Sequence, residues 1–389
     1  MPDATPAGDD PSSDPLVAEE EVLIVGGGPA GLATAACLGR RGIAARVLEQ
    51  GPAVGHSWSQ YYDRLHLHTG RHLSRLPGLP LGKGYPLYPA RDEVVRYLRD
   101  YARHFDLRVS VNERVLAVRR DETRGGWRVE TARGVRHAPA VVVASGTFHN
   151  PRRPRFPGLE AFGGPVLHSA EYRNPASVAG RRVLVIGAGN SGAEIAVDLA
   201  DAGREVTIAV RSGVHVVPRD LYGVLPVQYA AYLLQRLPRG LAGAIMAAVD
   251  RQGRRRLASV GLPAAEGPIT TIPVIGLHLI DALRAGKVAA QGGVARFRPG
   301  AVEFADGEVR PCDAVVLATG YEPALPFLRG LAADPATLVP PSGVACPAYP
   351  DLYFVGYHTS FNGTLYLIRQ EAPRVARAIA ARMGQPVAA

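Results

Sequence analysis

Short, unbroken apolar runs punctuate the chain, and most of them end in or beside glycine. EVLIV (21–25), residues 44–48, 141–144, RVLVI (182–186), 205–210, DAVVLATG (313–320) and DLYFVG (351–356) share this form. Runs of branched residues without polar alternation predict strands buried on both faces, as in a parallel sheet. Alanine-rich stretches at 32–40, closed by Gly42, and at 193–200 predict helices between these strands, and 365–383 (LYLIRQEAPRVARAIAARM) predicts a closing helix. Residues 109–117, 127–131 and 134–138 read as a β-meander appended to the first sheet. Two apolar helices are predicted over 221–257, divided at Pro238-Arg239-Gly240. Strand–helix alternation on this scale predicts an α/β fold with two doubly wound, Rossmann-like units.

Two glycine-rich loops give those units a chemistry. GGGPAG (26–31) sits between a strand and a helix, and a second strand ends at Glu49. In this setting Gly26 permits the tight turn, Gly28 lets the backbone approach a pyrophosphate, and Gly31 lets helix and strand pack closely. Pro29 and Ala30 belong to the loop that leads into the helix, whose N-terminus faces the phosphates, and Glu49, followed by Gln50, is placed to accept hydrogen bonds from an adenosine ribose. GAGNSG (187–192) repeats the arrangement with Gly187, Gly189, Asn190, Ser191 and Gly192, but its following strand ends at Arg211-Ser212. A carboxylate there favours the free ribose of NAD, whereas an arginine accommodates a 2′-phosphate, so this site is expected to take NADPH.

Composition narrows the picture. The chain has 389 residues, 47% hydrophobic and 20% charged, enough for two or three domain-sized cores. Its net charge of +9 is spread over scattered arginines without a basic stripe. That speaks against nucleic acid and fits clefts that hold polyanionic dinucleotides. Cys37, Cys312 and Cys346 are far apart and odd in number, with neither metal spacing nor a disulfide framework, which fits a reducing cytoplasm; no metal site is expected. Residues 1–20, rich in Pro, Asp, Ser and Ala, read as a disordered tail. No apolar run reaches the ~20 residues of a membrane span.

Between the two loops lies FGGPVLHSAEY (162–172), which reads F-x-G-x-x-x-H-x-x-x-Y. A G-x-x-W element (55–58), an Arg-Leu-x-Leu-His stretch (64–68), two Tyr-Pro pairs (85–86 and 88–89) before residues 91–104, and L-A-T-G-Y (317–321) accompany it. In this order over about residues 20–382 the chain resembles the class B flavoprotein monooxygenases, meaning the flavin-containing monooxygenases and their plant YUCCA relatives. The resemblance implies FAD at the first loop and NADPH at the second, with the NADPH domain inserted into the FAD domain. The expected division is 21–150 for the first part of the FAD domain, 151–311 for the NADPH domain with its helical insertion at 221–257, and 312–389 for the second part of the FAD domain. It further implies that Trp58, Arg64, His66 and His68 flank the flavin and that Thr319 and Gly320 lie beside the cofactors. His168, His68 and Asn190 are the candidate catalytic residues, with His168 in a hinge or gating role.

The implied reaction is reduction of FAD by NADPH, capture of O2 as a flavin C4a-(hydro)peroxide, and transfer of one oxygen atom to a small organic substrate. That substrate is either a 2-oxo acid such as indole-3-pyruvate or a soft N or S nucleophile. A flavin reductase of the disulfide or ferredoxin type is the competing reading, and it would need a C-x-x-C or a carrier surface. The chain departs from the family at three places. His-Thr-Gly-Arg (68–71) replaces the Asn-Gly-Pro-Lys-like stretch of the animal enzymes, Tyr357-His358 stands where many two-dinucleotide flavoproteins place an aspartate, and 359–367 differs from the plant proteins. The 221–257 insertion is open to three uses: a membrane-surface element, a dimer face, or a lid, which the family favours. A homodimer is left open.

Overall fold

The computed structural model describes residues 21–221, 225–267, 269 and 272–384. The chain starts with β1 (Val22–Val25), whose four residues are all buried, and turns at once into α1 (Pro29–Gly39). Pro29 suits that start, because the first helical turn has no use for its missing N–H. β2 (Ala45–Leu48) pairs in parallel with β1. The amphipathic α2 (Arg91–His104), with Asp92 and Glu93 in its first turn, leads to β3 (Arg108–Ser110). Here the chain corrects the sequence reading: Val109 pairs with Val47 at the edge of the parallel sheet. The meander consists only of β4 (Val115–Arg120), β5 (Trp127–Thr131) and β6 (Gly134–Ala138). A three-residue strand carries no period by which to tell a parallel edge from a meander. β7 (Val141–Val143) then returns to the parallel sheet beside β1.

The second unit begins with β8 (Val166–His168), inside the 162–172 linker, and continues with β9 (Arg182–Ile186), α3 (Asn190–Asp201) and β10 (Glu205–Ala209). An insertion of two helices follows, α4 (Val227–Leu234) and α5 (Arg239–Ala258). α6 (His278–Arg284) and β11 (Val288–Gln291) resume the fold. A three-stranded antiparallel sheet, β12 (Val294–Arg298), β13 (Ala301–Phe304) and β14 (Val309–Pro311), precedes β15 (Ala314–Leu317). β15 is the second correction. It pairs with β9 and β8 and completes the second sheet in the order β11-β10-β9-β15-β8, so the crossing back to the first unit comes after residue 320 and not at 312. A four-residue apolar strand fits either sheet, and only the vacant ladder beside β9 decides. The equivalent place in the first sheet goes to β16 (Leu352–Phe354), giving the order β16-β7-β1-β2-β3. α7 (Thr364–Arg382) closes the chain against α1.

Each sheet is apolar on both faces. α1, α2 and α7 cover one face of the first sheet and the meander with 325–354 covers the other; α3 and α6 cover one face of the second and β12–β14 the other. The two units meet along residues 60–68 of the first and α3 with 172–174 of the second. Asn174 Nδ2 donates to Asp63 Oδ2 at 2.8 Å and Arg173 to Gln60 Oε1 at 2.5 Å. Among the described residues no helix is long and apolar enough to cross a membrane.

Candidate active site

The glycines of the two loops separate into two kinds by what a side chain would meet. A Cβ at Gly26, where φ is +112°, would lie 2.6 Å from Ala144 O, and one at Gly31 only 1.9 Å from Gly26 O. The second loop repeats these numbers: 2.5 Å from Ala318 O at Gly187, where φ is +106°, and 1.9 Å from Gly187 O at Gly192. Those four are bare because the protein itself occupies the space. At Gly28 and Gly189 a Cβ would meet no protein atom within 4 Å. Their bareness serves neither turn nor packing, and it lies where α1 and α3 present free N–H groups, a cradle for phosphate.

Glu49 is buried and its carboxylate is held by two backbone amides, Gly27 N and Gly51 N, each at 2.7 Å. It lines a cavity of ≈ 1510 Å³ together with Gly26, Gly28, Pro29, Ala30 and Gln50. Ordinary ligand pockets hold roughly 300–1,000 Å³, so this one is large enough for more than one bound molecule. The same cavity runs past Trp58, His66 and His68 to Asn190 and Ser191 at the second loop. Arg211 and Ser212 are exposed at the end of β10, outside that cavity wall. The Arg211 stem lies against Gly293, and its guanidinium has no hydrogen-bond or ion-pair partner among the described residues.

Five expected site residues turn out to have different work. Arg64 does not face the cavity: its guanidinium bonds Asp201 at 2.9 Å and approaches Asp198 at 3.6 Å, fastening the 60–68 segment to α3. Asn190 lines the cavity, and its amide is anchored to the 273–275 backbone, Nδ2 donating to Pro273 O at 3.0 Å and Oδ1 accepting from Ile275 N at 2.8 Å. His168 is fully buried off the cavity wall. Ala170 N donates to its Nδ1 at 3.1 Å, which leaves Nε2–H to donate to Gly320 O at 3.1 Å. Burial pushes its pKa down, so the ring is a neutral strut with no proton to move. Thr319 donates to Arg152 O at 2.5 Å and Gly320 receives His168, so both hold the crossover, while Tyr321 is the neighbour that reaches the cavity.

The rest of the linker behaves likewise. Phe162 packs on Phe297 at 5.4 Å, a Cβ at Gly164 would lie 2.5 Å from Asp313 O, and Tyr172 donates to Asp198 at 2.7 Å. F-x-G-x-x-x-H-x-x-x-Y is therefore a strap in which each fixed position has its own contact.

Sequence reading missed Tyr62, Glu194 and Gln228. Tyr62 lies in the cavity wall and donates its hydroxyl to Glu194 Oε2 at 2.6 Å. Glu194 Oε1 lies 3.3 Å from His68 Nε2. Burial pushes the Glu194 carboxyl up to about 7 and the His68 imidazole down to about 4. One signal in the sequence could have found Glu194: it is an acid within a run of buried positions on α3, where a charge needs a partner. Gln228, on α4, accepts from Gly70 N at 2.8 Å through Oε1 and donates to the Asn362 carbonyl, pinning the insertion onto both parts of the first unit. No signal marks it, because both partners are backbone atoms distant in sequence.

With α4 so pinned, Leu234 on α4 and Ala242, Ile245, Met246 and Val249 on α5 wall the outer part of the cavity. The insertion is thus a cavity wall. Tyr357 and His358, at the place of the expected aspartate, are tied to Ser145 (2.8 Å) and Glu371 (2.7 Å) respectively. The three cysteines are free and buried, and burial pushes the thiols of Cys37 and Cys312 up to about 11, which leaves no reactive dithiol for a disulfide reductase.

The family model for pyridine nucleotide-disulphide oxidoreductases matches residues 23–226. Rice (Oryza sativa subsp. japonica) indole-3-pyruvate monooxygenase YUCCA1 is 35% identical over 352 residues, covering 86% of each chain. Indole-3-pyruvate monooxygenase YUCCA6 of Arabidopsis thaliana is 36% identical, covering 78% of this chain and 76% of its own. Among solved structures, the flavin-containing monooxygenase of Stenotrophomonas maltophilia superposes with a TM-score of 0.71 at 30% identity, covering 93% of this chain and 98% of that one. An NADP-bound steroid monooxygenase shares the fold at a TM-score of 0.73 and 20% identity. Two dinucleotide cradles on one cavity, no dithiol, and relatives of this kind over nearly the whole chain leave one assignment: the protein is an FAD- and NADPH-dependent monooxygenase that belongs to the class B flavin monooxygenase family, on its YUCCA-like branch.

Proposed function

We propose that the enzyme places one oxygen atom of O2 on the sulfur or nitrogen of an uncharged, largely apolar organic molecule. The observation that carries this reading is the chemistry of the outer cavity. The α4–α5 wall offers Leu, Ile, Met, Val and Ala side chains, and its one described cation, Arg236, stands at the rim over the Tyr232 ring, 4.6 Å away. A carboxylate held against this wall beyond Arg236 would lose its hydration without a charge partner there, a cost of several kcal/mol.

FAD would lie with its pyrophosphate over Gly28 and its ribose toward Glu49, and NADPH would lie over Gly189 with its 2′-phosphate on Arg211 and Ser212. The FAD domain would then comprise about 21–150 with 321–384, and the NADPH domain 151–320. Held over Gly28 and Glu49, FAD would supply acceptance of hydride from NADPH and activation of O2. The chain supplies orientation and dryness: Gln228 keeps the apolar insertion closed over the cavity, and Arg64 with Asn174 keeps the units together. Three separate buried thiols fit a cytoplasmic location.

A second reading draws on the relatives' printed activity: indole-3-pyruvate as substrate, with its carboxylate on Arg236 and its ring in the apolar chamber. Both are tested by following NADPH consumption and product mass under ¹⁸O2 with an aryl alkyl thioether, a tertiary amine and indole-3-pyruvate. Labelled sulfoxide or N-oxide supports the first reading. Efficient conversion of indole-3-pyruvate alone, abolished in Arg236→Ala, would replace it with the second.

A further inference from the structure

Glu194 is a buried acid without a cation of its own. The charged and titratable groups facing it and His68 are Arg64, His66, Asp198, Arg219, His278 and Tyr321. Arg64 is bound to Asp201 and Asp198, and Arg219 is bound to Asp220 and stacked over Tyr88. What remains for the Glu194 carboxyl is the Tyr62 hydroxyl on one oxygen and the His68 ring on the other. A phenol cannot neutralise a buried carboxylate, so the pair of Glu194 and His68 must carry a proton between them. Nε2 of His68 stands at ion-pair distance from Glu194, neither ring nitrogen makes a hydrogen bond among the described residues, and His68 stands in the cavity wall.

The overall reaction, NADPH + H⁺ + O2 + S → NADP⁺ + H2O + SO, consumes one proton. We propose that His68 delivers that proton into the cavity and that Glu194 is the positioning residue that reloads it, with Tyr62 holding the carboxylate that is left. The inference rests on the cavity being the monooxygenase site. In the loaded state the proton lies on Glu194 Oε1 and points at His68 Nε2, which makes His68 the Nδ1–H tautomer. As the oxygen that leaves as water gains an O–H bond, the Nδ1–H bond breaks. At the same time the Oε1–H bond breaks and an Nε2–H bond forms. The ring stays neutral throughout and the charge appears on Glu194, where Tyr62 O–H and Nε2–H both donate to it. Water returns the proton by the reverse path.

The test uses the full-length holoenzyme and needs no substrate. Histidine ring ¹⁵N spectra, with His68→Gln to assign the signal, are recorded from pH 5 to 9 for wild type, Glu194→Gln and Tyr62→Phe. Substrate-free NADPH-dependent O2 uptake, which also consumes one proton per O2, is measured over the same range. In wild type, His68 is expected to change from the Nδ1–H to the Nε2–H tautomer with a midpoint near pH 7, with O2 uptake falling about tenfold per pH unit above it. Glu194→Gln copies the protonated acid: His68 stays Nδ1–H at every pH and the pH 7 break in O2 uptake disappears. Tyr62→Phe removes a donor to the carboxylate and moves both midpoints upward. A His68 tautomer that does not change with pH in wild type overturns the proposal, as does a Glu194→Gln enzyme that keeps the wild-type pH profile. Neither result touches the substrate assignment, which the labelled-O2 screen decides.

Discussion

Replacing Glu194 by Gln should change how stability depends on pH without changing the contacts at the interface. The amide is isosteric with the protonated acid, can still accept from Tyr62, and keeps its place 3.3 Å from His68 Nε2. Burial raises the folded-state pKa of Glu194 to about 7 from 4.5. A raised pKa means that the folded protein holds a proton which the unfolded chain releases, so the stability is present below pH 4.5 and is lost as pH rises through 7. The difference of about 2.5 units, at ~1.36 kcal/mol each, is ~3 kcal/mol, which wild type loses across that window and the variant does not. His68 works in the opposite sense: its pKa falls from 6.5 to about 4, so its contribution is absent at low pH and is gained as pH rises toward 6.5. In wild type the two slopes oppose each other between pH 4.5 and 6.5. In Glu194→Gln only the histidine slope remains, near 1.4 kcal/mol per pH unit from this pair. Urea unfolding of both proteins at half-unit steps from pH 4.5 to 8, followed by tryptophan fluorescence, gives the difference curve. Two parallel curves would refute the reasoning, because Glu194 would then titrate alike in the folded and unfolded chains.

Other substitutions test the remaining parts of the site. Gly28→Val should yield a folded but colourless protein, since a Cβ there meets no protein atom within 4 Å; retention of stoichiometric FAD would remove the first loop from the cofactor site. Gly31→Ala should instead lower the melting temperature of the cofactor-free protein, because its Cβ would sit 1.9 Å from Gly26 O. Arg211→Ala should raise the Michaelis constant for NADPH by about ten- to a hundredfold, from the loss of a charge-assisted phosphate contact of roughly 1.5–3 kcal/mol. NADH kinetics should stay almost unchanged, and equal losses with both cofactors would refute the assignment. Gln228→Leu leaves Gly70 N and the Asn362 carbonyl without their partner, at a cost of about 1–3 kcal/mol; limited proteolysis within α4–α5 should then accelerate, and an unchanged cleavage rate would show that Gln228 does not hold the insertion closed.

The features legible in the sequence were local ones. A β-strand, a glycine turn and a helix N-terminus are each specified within about ten residues, so both cradles and the turn and packing roles of their glycines could be argued before any coordinates. The exclusions of a dithiol and a membrane span were also compositional. Family resemblance then carried the cofactors and the reaction class, because motif order survives over the whole chain.

What the tertiary structure alone decided is which sheet, which face and which partner. Ala314–Leu317 reads as a buried strand wherever it is placed, and the free ladder beside Arg182–Ile186 claims it for the second sheet. His168, Asn190 and Arg64 have side chains fit for chemistry, yet each is satisfied by atoms far away in sequence: Gly320 O, the 273–275 backbone, and Asp201. Glu194 gained its importance in the same way, from Tyr62 and His68 some 130 residues earlier. Sequence periodicity reports whether a position is buried, but the energy of a buried polar group depends on whether a donor or acceptor stands within about 3 Å of it. That distance is set by tertiary packing, inside the second unit for His168 and Asn190 and between the two units for Arg64 and Glu194, and no stretch of this chain encodes it by itself.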